Sequence, residues 1–545
     1  MKTNKNKNKY DVIIAGAGIV GNTLSKIFSA NNLSVLLLEQ GKHPRFSLGE
    51  AMLPQSAIWP FMIGEYYGID EIKHLSNAES IIDNITPHCG IKHSIGFIHH
   101  ETNERPSGDR IHQLIPPSMP FYSESHLLRE DIDDYLLTVA KDAGTDYYEE
   151  TSITGVEIQE DIVAVTTNKN TFYGKYYIDS SGKNSLLAKE KKYRNSVSTL
   201  TSNSRTIFTH IEGLEPIDML INEEDHPKQN NQLHHGTLHH VFDGGWIWVI
   251  PFDNHHRSSS KLTSVGLMLD PKKFPVNDKM SAEEEFHCII EQFPMISEHL
   301  KNGQNVRPWT RSTGNLQYSS NQSVGHRHMT TNNTYGFVGP LYSNGLINSF
   351  ETVFYVSKII LNAFKNDDFS LEQFQPIEKL HKKQLQDSDL MISNAYKAMK
   401  SFKTWNAWTQ LWLGQVLFHD LYLQRLCFKY FESGDKTIFE NLIIDGRPGD
   451  DAPFMEKKKL MLHKVGKTLN DFEANNIDEE EASSIILKEL QAQDWLPKHV
   501  FDWGNPLSRN VDFTNLELVK TLIGWGMNDA PENIKANLFD FKVPF

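Results

Sequence analysis

Three glycines and one acid near the N-terminus have the types and spacing that bind a dinucleotide. In YDVIIAGAGIVG, Gly16, Gly18 and Gly21 follow a short strand predicted over residues 12–15 and precede a helical pattern. The first glycine permits a tight turn, the second lets backbone N–H groups approach a pyrophosphate, and the third lets helix and strand pack closely. A second predicted strand, over residues 35–38, ends at Glu39, whose carboxylate can accept hydrogen bonds from a ribose. This order predicts dinucleotide binding, with NAD and FAD both open.

The bulk composition excludes several other functions. The chain has 545 residues and a net charge of −15, whereas nucleic acid binding needs a basic surface. Its three cysteines lie far apart, and the histidines of HHGTLHH show no zinc-ligand pattern, so we predict neither disulfides nor a metal site. The apolar run after MKTNKNKNKY is short, and the most apolar long segment carries charges. We therefore expect no signal peptide, no membrane span and a cytoplasmic location.

Three later segments favour FAD. GKHPRFSLGEAMLPQS places Arg45 and Glu50 after the predicted ribose-binding acid, HLLREDIDDYLLTVAKDAG starts a helical pattern at Arg129, and YYIDSSGKNS ends a strand at Asp179. Each segment alone is also typical of a capped helix, a surface helix or a turn. In this order they resemble the FAD-binding fold of flavoprotein hydroxylases. That resemblance implies that Arg129 and the Asp179 turn contact the flavin nucleotide or shape its site.

The run GGWIWVIPF adds a more specific resemblance. Alternation places Trp246 and Trp248 on one face of a strand that Pro251 closes, as in an ordinary sheet core. Together with the FAD segments, however, the run matches the WxWxIP pattern of flavin-dependent halogenases, and the chain resembles that family over residues 10–360. In that family the two indoles lie near the flavin and keep the substrate away from it, so that only a small oxidant leaves.

A second family pattern, FxxPxxSxG, matches GFVGPLYSNG. The resemblance implies that Pro340 lies at the flavin and that backbone N–H groups near Ser343, Asn344 and Gly345 bind a halide. The alternative is a hydroxylase-type loop that only packs on the flavin ring.

The family also carries an active-site lysine, and Lys92 in HCGIKHSIGFIHH is the position that the resemblance implies. Its apolar, alternating neighbours are unusual for a solvated lysine, because a buried ammonium is costly without a partner. The alternative is a lysine at a strand edge with its head in water.

Two departures from the family pattern bear on the cofactor and the substrate. NNTYGF replaces a GDAAGF-like segment, which puts some flavin contacts in doubt. Tyr342 replaces the glutamate of tryptophan halogenases, so we expect a substrate of the phenol or pyrrole type. Glu351 or a histidine of residues 234–240 is the candidate base.

The resemblance implies a complete reaction. A separate flavin reductase supplies FADH2, because the chain has no second nucleotide motif. O2 and chloride or bromide then give a flavin C4a-hydroperoxide and hypohalous acid, which passes the two tryptophans to Lys92. The expected acceptor is an electron-rich, phenolic aromatic whose own hydroxyl activates the ring, either free or bound to a carrier protein.

The same resemblance implies an α/β (α+β) fold. A Rossmann-like FAD-binding domain of the flavoprotein monooxygenase type joins a substrate β-sheet and a helical C-terminal region. The predicted parts are a disordered lead-in at residues 1–9, the FAD-binding domain at 10–190 and 320–360, the substrate sheet at 191–319, and the helical region at 361–545. In the last part Trp405, Trp408 and Trp412 lie near one helix face, which indicates core packing or a lid over the substrate.

Three other functions share parts of this pattern. An FAD-dependent aromatic hydroxylase needs the nucleotide half but neither WxWxIP nor an inward lysine. A flavin-dependent isoprenoid reductase needs no halide site. A non-catalytic flavin-binding scaffold would fit the altered NNTYGF segment.

Overall fold

Nineteen strands form two large sheets and one small one in the computed structural model, which describes residues 8–117, 124–196, 198–225, 231–312, 314–442 and 454–542. The strands are β1 Lys9–Ala15, β2 Val35–Leu38, β3 Gly90–Lys92, β4 Ile95–His100, β5 Ile111–Ile115, β6 Glu124–His126, β7 Asp146–Tyr148, β8 Ile153–Ile158, β9 Val163–Thr167, β10 Thr171–Asp179, β11 Arg205–Glu212, β12 Thr237–Phe242, β13 Gly245–Pro251, β14 Leu262–Leu269, β15 Gln304–Asn305, β16 Thr310–Arg311, β17 Val324–Gly325, β18 His328–Thr330 and β19 Asn510–Asp512.

Seventeen α-helices in the same described ranges cover and connect the sheets. They are α1 Ile19–Ala30, α2 Pro54–Tyr67, α3 Asp70–Lys73, α4 Ala78–Asn84, α5 Arg129–Asp142, α6 Leu186–Glu190, α7 Ala282–Ile290, α8 Pro294–Leu300, α9 Asn332–Tyr335, α10 Asn344–Asn366, α11 Leu371–Ala398, α12 Phe402–Ser433, α13 Phe454–Glu473, α14 Glu479–Ala492, α15 Lys498–Phe501, α16 Leu516–Asn528 and α17 Glu532–Ile534. In these ranges no helix has the length and apolar character to cross a membrane.

The first sheet has the strand order β17-β18-β10-β1-β2-β7, with β8 and β9 continuing from β10. Its central strands are parallel, and Ala15 lies beside both Leu38 and Asp179. Because parallel strands end at one edge, the glycine loop after β1, Glu39 after β2 and the turn after β10 meet there. This is the Rossmann-like arrangement that the sequence predicts.

The second sheet has the order β15-β11-β14-β13-β12-β4-β5-β19, with β16 beside β11. The tryptophan strand β13 lies in its middle, where Trp248 is opposite Gly266 of β14. A Cβ atom on Gly266 would lie 1.9 Å from the Trp248 ring, so this glycine makes room for the indole.

Sheet membership crosses the boundaries that the sequence predicts. Strands β4 and β5, within the predicted FAD-binding segment, belong to the second sheet, and so does β19 from the predicted helical region. The predicted lead-in lies largely outside the described residues, since residues 1–7 are not described, and its last residue, Lys9, already begins β1.

The long helices α10, α11 and α12 pack on the sheets and share one apolar core with them. Trp405, Trp408 and Trp412 of α12 are all buried there. The Trp412 ring stacks on Tyr342 at 4.6 Å between centroids, and Trp408 Nε1 donates a hydrogen bond of 2.8 Å to the Tyr342 hydroxyl. The predicted aromatic stripe is therefore part of the core.

Candidate functional site

The loop after β1 has the backbone shape of a phosphate cradle. Gly16 has a φ of +94°, and a Cβ there would lie 2.5 Å from the Ser180 carbonyl oxygen. A Cβ on Gly21 would lie 1.9 Å from the Gly16 oxygen. Helix α1 then begins with no side-chain cap on its first N–H groups. Those N–H groups and the positive end of the helix dipole are suited to a pyrophosphate.

Glu39 holds this loop in place. Its carboxylate accepts hydrogen bonds from the backbone N–H groups of Ala17 at 2.9 Å and Gly41 at 2.8 Å, and Arg45 Nη2 lies 3.4 Å away. Burial alone would raise the pKa of Glu39, but the Gly41 amide, Arg45 and the Ala17 amide outweigh it and lower the pKa. The carboxylate therefore stays ionised beside the loop, where a ribose hydroxyl would meet it.

A cavity of about 480 Å³, here called the first cavity, opens between the two sheets and the start of α10. It brings together eight of the residues predicted from the sequence: Gly18, Glu50, Arg129, Trp246, Trp248, Pro340, Ser343 and Gly345.

Arg129, Asp179 and Glu50 shape the wall of the first cavity in different ways. The Arg129 guanidinium pairs with Asp133 at 3.0 Å and donates to the Gly49 carbonyl at 3.3 Å. Asp179 does not line the cavity: it accepts hydrogen bonds from Ser181 and Ser185 and so shapes the turn whose Ser180 does. Glu50 Oε1 lies 2.8 Å from Nε2 of the buried His210.

These residues fit the FAD that the sequence predicts. The glycine cradle suits its pyrophosphate, and the cavity beyond has room for a ring system against apolar walls. The segment NNTYGF, which departs from the family pattern, contains α9, and its Asn333 lines the first cavity. The Oδ1 atom of the neighbouring Asn332 is buried without a hydrogen-bond partner. An acceptor of this kind can receive a hydrogen bond from a ribityl hydroxyl.

The two tryptophans form one wall of the first cavity. Their ring centroids lie 5.8 Å apart with the planes 52° apart. Trp248 Nε1 donates to Ser264 Oγ at 3.1 Å, and the Trp246 ring lies 5.6 Å from that of His239. Both side chains are buried, and these contacts hold the wall in place.

The predicted halide segment lines the same cavity. Tyr342 and Ser343 have φ values of +67° and +52°, which turn the chain sharply into α10. The Ser343 amide donates to the Pro340 carbonyl at 3.0 Å, so the amides available for an anion are those of the next residues. Helix α10 begins there without a side-chain cap or an acid in its first turn. Ser343 and Gly345 line the first cavity, whereas Asn344 lines another.

That other space, the second cavity, has a volume of about 370 Å³ and lies among α2, α10, α11, α12 and α13. Its walls are aromatic and apolar with a basic rim. They include Leu53, Met391, Trp412, Phe418, Tyr422, Met455, Lys458 and His463. The α12 stripe therefore contributes Trp412 to a cavity as well as to the core.

Lys92 is enclosed in the protein. It ends β3, and the register of β3 with β6 places it opposite Glu124. Its side chain is 1% exposed, with Nζ donating to the Met52 carbonyl and lying 3.5 Å from Glu124 Oε2. Burial lowers the pKa of Lys92 although Glu124 opposes this, and burial raises the pKa of Glu124 to about 7. Lys92 lines neither cavity, but Met52 is followed directly by Leu53 of the second cavity.

Glu351, the other candidate base, lies elsewhere. It is fully buried on α10, where its carboxylate accepts a hydrogen bond of 2.8 Å from Gln384 Nε2 and lies 3.7 Å from His419 Nε2. His419 lines the second cavity. Glu351 lies six positions after Gly345 of the first cavity, and side chains at that spacing do not share a helix face. Glu351 therefore points away from the tryptophan wall. Of the histidine run, His239 lines the first cavity, while His240 bonds to His100 on the opposite face of the sheet.

Glu124 is the partner of Lys92 that the sequence does not predict. Its only signal is that it lies shortly before the Arg129 segment, and no local pattern pairs it with Lys92. In the described ranges, no group of three or more His, Cys, Asp or Glu side chains is arranged to hold a metal ion.

The chain is similar to several proteins that are named halogenases. Monodechloroaminopyrrolnitrin halogenase PrnC of Pseudomonas fluorescens is 32% identical over 552 residues, which cover 99% of this chain and 95% of the relative. Tetracycline 7-halogenase of Kitasatospora aureofaciens is 29% identical over 496 residues, covering 91% and 89%. A crystal structure of halogenase PltM with phloroglucinol and FAD has a TM-score of 0.86 at 27% identity and covers 92% of this chain and 100% of that one. No family model matches the chain. The predicted fold class is confirmed, and the likeness extends beyond residue 360.

Proposed function

Because this chain belongs to the flavin-dependent halogenase family, we propose that it transfers halogen through Lys92 to a phenolic aromatic acceptor. The protein is an oxidoreductase that uses FADH2, O2 and chloride or bromide to halogenate an aromatic compound. The family, the enzyme class and the cofactors are as predicted from the sequence, while the roles of single residues are proposals. The observation that carries them is that a tryptophan wall and an uncapped helix start line one cavity.

Reduced FAD, when bound, supplies hypohalous acid from O2 and halide. Gly18 and the start of α1 would hold its pyrophosphate, and the cavity between Trp248 and Pro340 would hold its ring. The amides at the start of α10 hold the halide, because their N–H groups and the helix dipole favour an anion. Trp246 and Trp248 fill the space through which an aromatic acceptor would otherwise reach the same cavity.

Lys92 is the group that directs the halogen. An electrophile held at one nitrogen attacks one ring carbon, whereas free hypohalous acid attacks many. Its burial protects the activated halogen from water. Lys92 Nζ contacts the carbonyl of Met52, the residue before Leu53 of the second cavity, and we place the acceptor in that cavity.

A phenolic acceptor is supported by the residues around this space. The position of the family's glutamate holds Tyr342, whose pKa burial raises, so it carries no charge. When no carboxylate of the protein assists the acceptor ring, that ring must be activated by its own substituent, as the ring of a phenol is by its hydroxyl. The structural relative PltM binds phloroglucinol, a phenol, and that compound is the first acceptor to try.

The decisive experiment separates halide oxidation from halogen transfer. Protein loaded with photoreduced FAD, without a reductase, is mixed with O2 and bromide, and hypohalous acid is captured with monochlorodimedone. A parallel reaction contains phloroglucinol, and brominated product is measured. We expect both signals in the wild type, with a separate flavin reductase as the physiological source of reduced flavin. Product without any dependence on bromide, or hydroxylated product, would identify a hydroxylase instead.

Lys92→Met tests the proposed transfer step. The variant should keep halide oxidation and lose at least about 100-fold of acceptor bromination, the loss typical of one key polar group. Lys73→Met is the matched control, because Lys73 pairs at the surface with Glu65 and Asp70, each at 2.7 Å. Equal bromination by both variants would remove Lys92 from the mechanism.

A further inference from the structure

Two buried acids accompany Lys92 in the interior. Glu124 is 4% exposed, and its Oε2 atom, the one nearest Nζ, has no hydrogen-bond partner. Asp420 of α12 is 3% exposed; its Oδ2 accepts a hydrogen bond of 2.6 Å from Gln424 Nε2, and its Oδ1 has no hydrogen-bond partner. Burial raises the pKa of Asp420, and the nearby Glu124 raises it further. One cation and two acids in such a site cannot all be charged at low cost.

The other titratable groups around Lys92 are neutral. His126 of β6 bonds to the Pro251 carbonyl at 2.8 Å and to Thr237 Oγ1 at 2.9 Å, and His239 of β12 bonds to the Gly96 carbonyl at 3.1 Å. Burial lowers the pKa of each to about 3. Burial raises the pKa of Asp420 far above its usual range, which favours its uncharged form. Glu124 is then the group with which Lys92 shares a proton.

We propose that Glu124 is a positioning residue that sets the charge of Lys92, and that the uncharged amine is the form that takes the halogen. The inference rests on the proposed function. The ammonium passes one proton to the Glu124 carboxylate, whose Oε2 lies 3.5 Å from Nζ between two buried side chains. The register of β3 with β6 holds the two groups opposite each other.

The step balances with the oxidant that the enzyme's own reaction supplies. The amine nitrogen attacks the halogen of hypohalous acid, the N–X bond forms, the O–X bond breaks, and the leaving hydroxide takes an amine proton to become water. The acceptor ring then attacks the halogen: the C–X bond forms, the N–X bond breaks, and the ring proton returns to the nitrogen. Glu124 gives its proton back when the ammonium is restored.

Glu124→Gln tests this inference through the pH profile of acceptor bromination. A carboxylate beside an ammonium raises its pKa, so its removal lowers the pKa of Lys92, and the amine persists at lower pH. The acid limb of the profile should move down by about one pH unit or more. Glu124→Asp should restore the wild-type limb. Asp420→Asn, which replaces one neutral group by another, is the control and should leave the limb unmoved.

Two results would overturn the inference. One is an unmoved acid limb in Glu124→Gln at any activity, because a merely structural role changes the amplitude and not the position. The other is an alkaline limb that moves to lower pH, because that identifies the ammonium as the active form. Halide oxidation, followed with monochlorodimedone, should be unchanged in every variant. Its absence in the wild type would refute the proposed function itself.

A direct measurement on the wild-type protein tests the inference even where a variant does not fold. The wild-type holoenzyme is turned over with bromide and without acceptor, and the Lys92 peptide is examined by mass spectrometry for an N-bromo adduct. The adduct should increase several-fold from pH 6 to pH 8, because Glu124, with a pKa of about 7, becomes over this range a carboxylate that can take the proton of Lys92. An unmodified Lys92 at both pH values would overturn the inference.

Discussion

At the scale of single residues, Gly266 shows how closely the tryptophan wall is fitted. A methyl group there would lie 1.9 Å from the Trp248 ring. Gly266→Ala should therefore displace the indole and lower stability by about 1–3 kcal/mol, the usual cost of overpacking. Gly155→Ala is the matched control in a strand, since its nearest atom would be 4.0 Å away. Denaturant midpoints of the two variants measure the difference, and equal midpoints would show that the wall yields.

Tyr342 gives a second prediction at this scale. Its hydroxyl accepts the Trp408 indole N–H, and both groups are buried. Tyr342→Phe leaves that donor unpaired and should cost about 1–3 kcal/mol of stability. Acceptor bromination per folded molecule should change little, because an uncharged tyrosine supplies no base. Tyr173→Phe, at a residue 36% exposed, is the control. A large loss of turnover in Tyr342→Phe alone would give Tyr342 a chemical role.

The sequence predicts these residues unevenly. Lys92 was visible because a lysine among alternating apolar residues signals burial. The sequence does not predict Glu124, because only the register of β3 with β6 brings it opposite Lys92. The two strands are more than thirty residues apart, and no local pattern encodes their register. Glu351 looked suitable because it follows the halide segment, yet the helix phase points it at Gln384 and His419.

At the scale of elements, the start of α10 is the proposed halide site and gives a further prediction. A Cβ on Gly345 would meet no atom within 4 Å, so a larger side chain fits. Gly345→Asp places a negative charge where the halide is held, and it should raise the bromide concentration for half-maximal oxidation by at least roughly tenfold. The fold should be kept, because an acid in the first turn favours the helix. Gly524→Asp, also in a helix with open space, is the control. An unchanged bromide dependence in Gly345→Asp would show that the halide binds elsewhere in the protein.

The elements that the sequence predicted well are those with a local signature. The glycine loop, Val35–Leu38 and the tryptophan strand were found because each combines periodicity with turn residues. The sequence does not predict the pairing of β12 with β4, because neither segment carries a local pattern that indicates a parallel partner far away in the chain. Domain boundaries drawn along the chain therefore missed that β4 and β5 complete the second sheet.

At the scale of the whole molecule, the first cavity joins parts that are distant in the chain. Its walls come from both sheets and from α10. A ligand that binds the folded form stabilises it by about 2.7 kcal/mol at 100 times its Kd. FAD should therefore raise the unfolding temperature of the whole protein in one transition. Gly21→Ala, whose Cβ would lie 1.9 Å from the Gly16 oxygen, should abolish that shift. A shift confined to one of two transitions would mean that the sheets unfold independently.

Strand β19 has a consequence for how the protein is made. It adds three residues, Asn510–Asp512, in parallel to β5, whose other neighbour is β4. During synthesis β5 leaves the ribosome almost four hundred residues before the strand that covers it. Until then its free edge can pair with another nascent chain. Products that stop before residue 510 should therefore aggregate rather than accumulate as active fragments, because the second sheet is completed only once β19 has been made.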